Sequence, residues 1–364
     1  MDNIATLCLE KNLQKIKADD PIVYKFHWEG NYWDGDIHDY AQLSLETVSV
    51  VAKKCAHVLR QKGVSRGDTV LAFVHTVIQL PIIALGCAHV GATFVFIHPS
   101  EQDPEVLARK IAASRPKTIV AVDGFWRGAE LVAAKKNLDA ALLRTPHRVE
   151  SVLVIRHTGA NPGTPSPSEE FVGRRPSYRL EVPMEEGRDF PWSKAISTAP
   201  EPEAVDGAVV PRPEDVVAAF LRTTPQDVEK EELTAKTLLE AVERRLEEKA
   251  PLSPFWNVGF PDRKEDVVAL VAAMIAGVEL VLFEGILSHP DPSRIGQVVS
   301  KYEVRQIAIW PSDVEFLMKF PDYVHFWKMG SLRSVIYKGQ EDDVDEMKWL
   351  KENFTGAEVE ALLD

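Results

Sequence analysis

The regular alternation of short apolar runs with helix-length segments constrains the fold of this 364-residue chain more than any other feature. The apolar runs are continuous rather than helically spaced, which is typical of buried strands. In the first half of the chain they lie at residues 69–74, 93–97, 118–122 and 152–155. Helical patterns separate them at residues 44–62, 79–89 and 104–114. Strands joined by helices of about ten residues or more predict βαβ units around a parallel sheet.

The same alternation resumes later in the chain and predicts a second group of elements. The predicted strands are residues 215–221, 278–283, 306–310 and 332–337. The predicted helices are residues 234–249, 265–276, 293–301, 312–320 and 345–353. Ser44 is the predicted N-cap of the first helix of the chain, and Gly91 and Gly277 are predicted to end two helices in the left-handed conformation.

Composition limits the partners and the compartment. A hydrophobic fraction of 45% indicates a globular protein, and a formal net charge of −13 argues against nucleic acid or an anionic membrane surface as the main partner. No apolar run approaches the roughly 20 residues of a membrane helix, and the N-terminus has neither a signal nor a transit pattern. The three cysteines, Cys8, Cys55 and Cys87, have no metal or redox spacing. We therefore predict a cytoplasmic protein, with the nucleus as the other option.

Shifts in composition divide the chain into four predicted parts. Residues 1–43 carry an aromatic segment that we expect to pack as a lid on the main body. Residues 44–156 form a first α/β subdomain and residues 214–364 a second. Residues 157–213 are rich in Pro, Gly, Ser and Glu and are predicted to be a flexible connection or insertion. Only residues 185–192 within it are expected to be docked.

The residues that follow the predicted strand 215–221 indicate whether the chain can bind a nucleotide phosphate. A phosphate-binding loop at the end of such a strand needs glycines, whose bare backbone N–H groups reach phosphate, and a lysine or hydroxyls beside them. No glycine occurs between Gly207 and Gly259. The strand is followed by Arg222, Thr223, Thr224 and Pro225, and then by an acidic run in which Lys230 is the sole cation. This run would repel a polyphosphate. The charge-rich residues 227–248 are interpreted as a solvated helix face.

Six ordered blocks of the sequence resemble the AMP-forming acyl-CoA synthetases, and most closely the N-terminal domain of the acetyl-CoA synthetases. The blocks are residues 59–111, VDGFWRGAE (122–130), EEGRDFPW (185–192), residues 277–295, WPSDVEFLMKF (310–320) and LRSVIYKGQE (332–341). The resemblance implies the acyl-adenylate-ligase N-terminal-domain fold, an α/β fold of stacked layers with largely parallel sheets. It also implies that the family's C-terminal ligase domain is absent from this chain.

The resemblance further implies where remnants of the family's sites would lie. Thr223 and Thr224 fall on the phosphate loop, and Gly339 and Gln340 fall on the adenine-contacting Gly–Glu–Pro element. Arg127 and Gly128 fall on the coenzyme A loop, in which Ala129 and Glu130 replace a Gly and a Lys of the family. The magnesium-holding Glu is not found in residues 357–364. Structural alternatives remain open at each position, namely a surface arginine, a strand end and a turn.

No residue is predicted to be catalytic, and no metal site is predicted, because histidines such as His75, His89 and His98 show no ligand spacing. The first hypothesis is an inactive relative of acetyl-CoA synthetase with a binding, scaffold or regulatory role, without a cofactor. ATP, AMP and CoA are the ligands that it could have retained, and a protein partner or self-association is expected. The alternatives are a divergent acyl-CoA ligase completed by another chain, and a truncated or wrongly spliced product.

Overall fold

The computed structural model describes residues 1–17, 25–34, 37–158, 182–202, 207–225, 227–340 and 342–362. Within these residues the strands form two seven-stranded sheets and one separate two-stranded hairpin. Among the described helices, none is both long enough and apolar enough to cross a membrane.

The first part of the chain alternates strands and helices. A π-helical turn (Thr6–Glu10) leads into α1 (Lys11–Lys17). The elements that follow are β1 (Lys25–Asp34), β2 (Ile37–Ser44), α2 (Leu45–Gln61), β3 (Thr69–Phe73), α3 (Gln79–Val90), β4 (Thr93–Ile97), α4 (Pro104–Ser114), β5 (Thr118–Val122), β6 (Phe125–Arg127), β7 (Glu130–Val132), α5 (Ala134–Leu142) and β8 (Ser151–Ile155).

The second part continues the pattern. Its elements are β9 (Asp189–Pro191), α6 (Trp192–Thr198), β10 (Val216–Thr223), β11 (Val228–Thr234), α7 (Ala235–Glu248), β12 (Phe255–Asn257), α8 (Lys264–Ala276), β13 (Leu280–Phe283), α9 (Arg294–Lys301), β14 (Gln306–Ile309), α10 (Pro311–Met318), α11 (Pro321–Val324), β15 (Ser334–Tyr337), α12 (Val344–Asn353) and β16 (Glu358–Ala361).

Both large sheets are parallel except at one edge. Sheet one has the order β16-β15-β14-β12-β13-β1-β2, and only the β1–β2 pair is antiparallel. Sheet two has the order β11-β10-β4-β3-β5-β8-β9, and only the β10–β11 pair is antiparallel. The predicted layered α/β fold with largely parallel sheets is therefore confirmed.

Local sequence signals explain where several helices begin and end. The Ser44 hydroxyl accepts the N–H of Thr47, as predicted for the N-cap of α2. Gly91 and Gly277 follow α3 and α8 with φ values of +77° and +73°, a conformation that glycine adopts without steric cost. Both predicted helix ends are confirmed.

The acidic run was predicted wrongly as part of a helix face. Val228–Thr234 is instead strand β11, which pairs with β10, and the helix α7 begins only at Ala235. Val228 and Leu233 are buried while the charged residues between them are exposed. Lysine and glutamate on an edge strand prevent pairing with other chains, so the charges are compatible with a strand here. The preceding strand was predicted to be buried, but in β10 only Ala218 and Ala219 are, and its end is exposed.

Sheet membership changes along α2 and α7. The strands before α2 and after α7 belong to sheet one. Those between them belong to sheet two, except β6 and β7, which form the separate hairpin. The aromatic segment of residues 1–43 thus contributes β1 and most of β2 to sheet one. Much of the predicted connection 157–213 lies outside the described residues, but Asp189–Pro191 forms the edge strand β9, and the Asp189 carboxylate contacts Lys135 Nζ at 2.8 Å. The division into four parts stays a prediction.

Strand β1 is held against α9 by a buried charged cluster around Glu29. The Glu29 side chain is fully buried, and its carboxylate contacts Arg294 Nη2 at 3.1 Å. The Tyr302 hydroxyl donates a hydrogen bond of 2.6 Å to the same carboxylate, and Lys301 forms an ion pair with it. Buried charges of this kind are tolerated because each one has a partner.

Replacing Glu29 with alanine tests this arrangement. The change leaves the buried guanidinium of Arg294 without its carboxylate, so we expect a loss of about 3–5 kcal/mol in the free energy of unfolding. The matched control is Glu105→Ala, which breaks the exposed contact with Arg144 and should cost less than about 1 kcal/mol. Urea unfolding measures both, and equal losses would contradict the role assigned to Glu29.

Candidate functional site

Polar residues follow the carboxyl ends of strands in both sheets and face one another. His75 comes two residues after β3, Asp123 directly after β5, and His157 two residues after β8. Glu284 comes directly after β13 of sheet one. Parallel strands place their carboxyl ends at one edge of a sheet, which is where open α/β sheets bind ligands. These four residues form the candidate site, which we call the His–Glu cluster.

Two imidazoles of the His–Glu cluster converge on a single carboxylate oxygen. Glu284 Oε1 lies 3.0 Å from His75 Nε2 and 2.9 Å from His157 Nε2. The ligand atoms of all three residues lie within 4.8 Å of one another. His75 is fully buried and Glu284 is only 5% exposed. The ring of Phe125 stacks on His75 with centroids 4.8 Å apart, which fixes the plane of the imidazole.

The buried environment shifts the pKa values of the cluster. Burial alone raises the pKa of Glu284, but the neighbouring His157 and His75 outweigh burial and hold this pKa well below its usual range. Burial lowers the pKa of His75, and Glu284 only partly opposes that effect. The carboxylate is therefore ionised at neutral pH, while His75 resists protonation.

Asp123 positions the end of β8 and with it His157. Its Oδ1 accepts the backbone N–H groups of Gly124, His157 and Thr158 at 2.8, 2.8 and 3.1 Å. A carboxylate that accepts several backbone N–H groups fixes a loop more firmly than one hydrogen bond would. The loop that carries His157 is thereby fixed at the carboxyl edge of sheet two.

The hairpin β6–β7 lies next to the His–Glu cluster. Gly128 has φ +61°, and the Asn31 side chain both donates to its carbonyl at 2.8 Å and accepts its N–H at 3.0 Å. A Cβ on Gly128 would lie 3.2 Å from the Ile286 side chain. Arg127 is exposed and stands opposite Glu130 in the antiparallel register, so the hairpin presents both signs of charge.

A second buried cluster follows β12 and β15 of sheet one. Lys338 Nζ donates to Asp266 Oδ1 at 2.6 Å and to Asn257 Oδ1 at 2.9 Å. The indole N–H of Trp310 donates to the same Asp266 oxygen at 3.1 Å. Burial lowers the pKa of Lys338, and Asp266 opposes the shift. We call this group the Lys338 cluster.

Two turns carry the remaining residues singled out in the sequence. Thr223 ends β10 and is exposed, and Thr224 closes the β10–β11 turn, where its hydroxyl donates to the Asp227 carbonyl at 3.0 Å and accepts the Asp227 N–H. Gly339 and Gln340 follow β15. The N–H of Gln340 donates to Asp343 Oδ2 at 3.0 Å. A Cβ on Gly339 would come within 2.4 Å of the Tyr337 ring, so the close approach requires glycine.

Comparison with known proteins matches this architecture to one family. The family model described as AMP-binding enzyme matches residues 17–219, more than half of the chain. The chain belongs to the AMP-binding enzyme family. It is 25% identical to an acetyl-coenzyme A synthetase of Leptospira biflexa over 96% of its own length and 50% of the relative's. An acetyl-coenzyme A synthetase of Drosophila melanogaster is 28% identical over 87% of this chain and 46% of the relative, and one of Aeromonas hydrophila is 26% identical over 95% and 50%. The chain spans about half the length of these curated relatives.

Within this AMP-binding enzyme fold, the sequence-derived site residues fall into separate groups. Gly128 lies beside the His–Glu cluster, since Phe125 of the same hairpin stacks on His75. Gly339 and Gln340 directly follow Lys338. Among the described residues, no hydrogen bond or ion pair joins Thr223 or Thr224 to either cluster. The roles assigned to these residues stay predictions.

Sequence reasoning missed His157, Glu284 and Lys338 as site residues. It also judged His75 by its distance along the chain from other ligands, a criterion that fails for residues joined only by the fold. The sequence did contain a signal for these residues. His75, His157, Glu284 and Lys338 each lie one or two positions after an apolar strand. In a parallel sheet that position faces the ligand-binding edge.

A double-mutant cycle tests the Lys338 cluster. Lys338→Met alone leaves the Asp266 carboxylate buried without its cation, and we expect a loss of about 3–5 kcal/mol in the free energy of unfolding. Asp266→Asn alone leaves the buried ammonium without its carboxylate and should also destabilise the protein. The double variant should lose clearly less than the sum of the two single losses. Additive losses in urea unfolding would refute a direct pairing.

Asp313, beside the Lys338 cluster, provides a pH test. Burial raises its pKa from 3.8 to about 6, with Lys338 opposing and Asp266 adding to the rise. The folded state therefore holds a proton between about pH 4 and pH 6 that the unfolded state has released. The free energy of unfolding of the protein accordingly falls as pH rises through that window. Asp313→Asn should match the original protein near pH 3.5 and exceed its free energy of unfolding by about 1–3 kcal/mol at pH 7.5. A stability difference independent of pH would contradict the raised pKa.

Proposed function

We propose that this chain is a catalytically inactive member of the AMP-binding enzyme family with a binding, scaffold or regulatory role. The observation that carries the proposal is the acidic hairpin β10–β11, at the position where the resemblance places the family's phosphate loop. The described strand residues of the hairpin pair in a register that runs from Val216↔Thr234 to Thr223↔Val228, with one irregularity between Val216 and Ala218.

Charge in the hairpin opposes a polyphosphate. Residues 222–232 carry two basic and four acidic side chains, giving a formal charge of −2. The Lys230 ammonium contacts the Glu232 carboxylate at 2.7 Å, and the Arg222 guanidinium contacts that of Glu229 at 3.3 Å. Adenylation needs donors and cations aimed at the phosphates of ATP, and losing a single such donor typically costs about 10²–10³ in rate.

Backbone donors are also poorly arranged for phosphate in the hairpin. The N–H of Thr224 donates to the Asp227 carbonyl at 2.8 Å, and the N–H of Asp227 donates to the Thr224 hydroxyl at 3.0 Å. Pro225 has no N–H to offer. These residues do not fit ATP phosphates, and we propose no adenylation step for this chain.

The residue before Gly339 and Gln340, the element expected to contact adenine, carries a buried charge. Lys338, whose side chain is 1% exposed, forms an ion pair with Asp266 immediately before Gly339. Because the Lys338 ammonium is already paired with a buried carboxylate, we assign it a structural role rather than a role in nucleotide recognition. On this proposal the chain uses no ATP, AMP or CoA as a cofactor.

A binding role needs a surface that a partner can cover. Phe320, Tyr323 and Phe326 near α11 are 38%, 45% and 73% exposed. Phe320 contacts Tyr323 edge to face with ring centroids 6.3 Å apart. Aromatic side chains are enriched at protein interfaces, which supports a protein partner or a second copy of the chain.

The alternative is a divergent AMP-forming acyl-CoA ligase that another chain completes. The similarity to acetyl-coenzyme A synthetases over nearly the whole chain favours this alternative. It requires that the acidic hairpin still holds pyrophosphate oxygens through Thr223, Thr224 and Lys230. Binding and exchange experiments on variants of these three residues separate the two functions.

Carboxylate-dependent exchange of pyrophosphate into ATP should stay at background with acetate, propionate and butyrate. ATP with magnesium, AMP, CoA and acetyl-CoA should leave the melting temperature unchanged, whereas a ligand at 100 times its Kd would add about 2.7 kcal/mol. Sedimentation should show self-association or a co-purifying partner, and a strict monomer without one would count against the binding role.

The decisive variant replaces Thr223, Thr224 and Lys230 together with alanine. Its control replaces Thr198 and Lys236, which lie outside the hairpin on α6 and α7. Carboxylate-dependent exchange that disappears in the hairpin variant and persists in the control would overturn the proposal and support the ligase alternative.

A further inference from the structure

We propose that His75, His157 and Glu284 form a binding site for a transition-metal ion of the zinc class. Two imidazole nitrogens and one carboxylate, with a fourth position for water, make a common ligand set of zinc sites. The inference concerns the His–Glu cluster and is independent of whether the chain adenylates a carboxylate.

The spacing of the ligand atoms fits a metal ion. Ligands held tetrahedrally at about 2.0–2.1 Å from zinc stand roughly 3.3 Å apart. The two Nε2 atoms stand 3.0 and 2.9 Å from Glu284 Oε1, and the ligand atoms of all three residues lie within 4.8 Å of one another, so side-chain adjustments within the cluster can bring them to this spacing. The three side chains come from two sheets and yet converge on one point.

Unpartnered buried atoms provide the second observation. The two ring nitrogens of His75 have no hydrogen-bond partner among the described residues. The same holds for the second carboxylate oxygen of Glu284, Oε2. The 3.0 Å contact from His75 Nε2 to Glu284 is short, but it is not aligned as a hydrogen bond. A buried polar atom without a partner costs about 1–3 kcal/mol, and a coordinated ion would satisfy these atoms.

Charge and access also favour a divalent cation. Glu284 and the fully buried Asp123 bring two carboxylates to the site, enough to balance the charge of one divalent ion. The His157 side chain is 19% exposed, which leaves one side of the cluster open for entry of an ion and for a water ligand. Imidazole ligands favour zinc-class ions, whereas magnesium prefers oxygen ligands.

The alternative is a hydrogen-bonded network in which a protonated His157 forms an ion pair with Glu284. Such a network needs no metal and would hold the two sheets together by itself. The two models differ in stoichiometric zinc binding, which makes them separable by direct titration of the full chain.

The test is calorimetric titration of chelator-treated full-length protein with Zn²⁺, in the presence of a competing chelator. We expect one ion per chain with a micromolar or tighter Kd, and no heat with Mg²⁺ at the same concentration. Co²⁺ should bind in the same place and give the intense visible absorption of a four-coordinate ion. X-ray absorption at the zinc edge should show nitrogen and oxygen ligands only.

Substitutions of the three proposed ligands test whether these side chains bind the ion. His75→Ala, His157→Ala and Glu284→Gln should each weaken Zn²⁺ binding at least about tenfold. His98→Asn is the matched control, since His98 is also buried and its ring lies 5.4 Å from Phe125, outside the cluster. His147→Ala serves as a surface control, and both controls should bind Zn²⁺ like the unaltered protein.

Absence of stoichiometric Zn²⁺ binding by the unaltered chain would overturn the site, whatever the variants do. Weak binding of several ions that the three cluster substitutions leave unchanged, an adventitious metal only, would overturn it as well. The titration of the unaltered chain needs no variant, so the proposal can be refuted even if a substituted chain fails to fold.

Discussion

Buried polar contacts between the carboxyl ends of the two sheets are the interaction on which the rest of the structure depends. Glu284 of sheet one reaches His75 and His157 of sheet two, and the Trp28 indole donates to the Thr76 carbonyl at 3.1 Å. The Asn31 amide holds Gly128 in the same region. A buried polar group is costly without its partner, so these contacts allow one relative placement of the sheets.

The acidic hairpin combines an extended backbone with a run of exposed carboxylates. A glycine-rich loop presents backbone N–H groups because no side chains shield them. In β10–β11 the chain is extended instead, and the turn residues Thr224 and Asp227 satisfy each other. The carboxylates of Glu229, Glu231 and Glu232 project from an edge strand into solvent, where charge protects the sheet from pairing with other chains. The segment thus completes one edge of sheet two and gives that edge a negative charge.

Two clusters of buried charged groups lie near the carboxyl ends of strands. Lys338 with Asp266, and Glu284 with two histidines, are both enclosed near strand ends. Pairs of this kind seldom add net stability, since desolvation cancels most of the attraction. Removing one partner of such a pair is nevertheless destabilising, because it leaves a buried charge uncompensated. The Lys338 ammonium donates to two neighbouring oxygens, and both clusters retain buried polar atoms without hydrogen-bond partners among the described residues: Asp266 Oδ2 in one, and the His75 ring nitrogens and Glu284 Oε2 in the other.

The sequence by itself determined part of the alternation of strands and helices, the helix ends at Gly91 and Gly277, and the family to which the fold belongs, but it did not assign short elements such as β12 and β16. The assigned features follow from apolar spacing and turn residues, which act over a few neighbouring positions. It misassigned Val228–Thr234, because only two buried residues mark that strand among four exposed charged ones. The tertiary structure alone decided that His157 meets Glu284, 127 residues further along the chain. That contact depends on which strands are neighbours and on how two sheets pack, and neither is encoded in any local pattern.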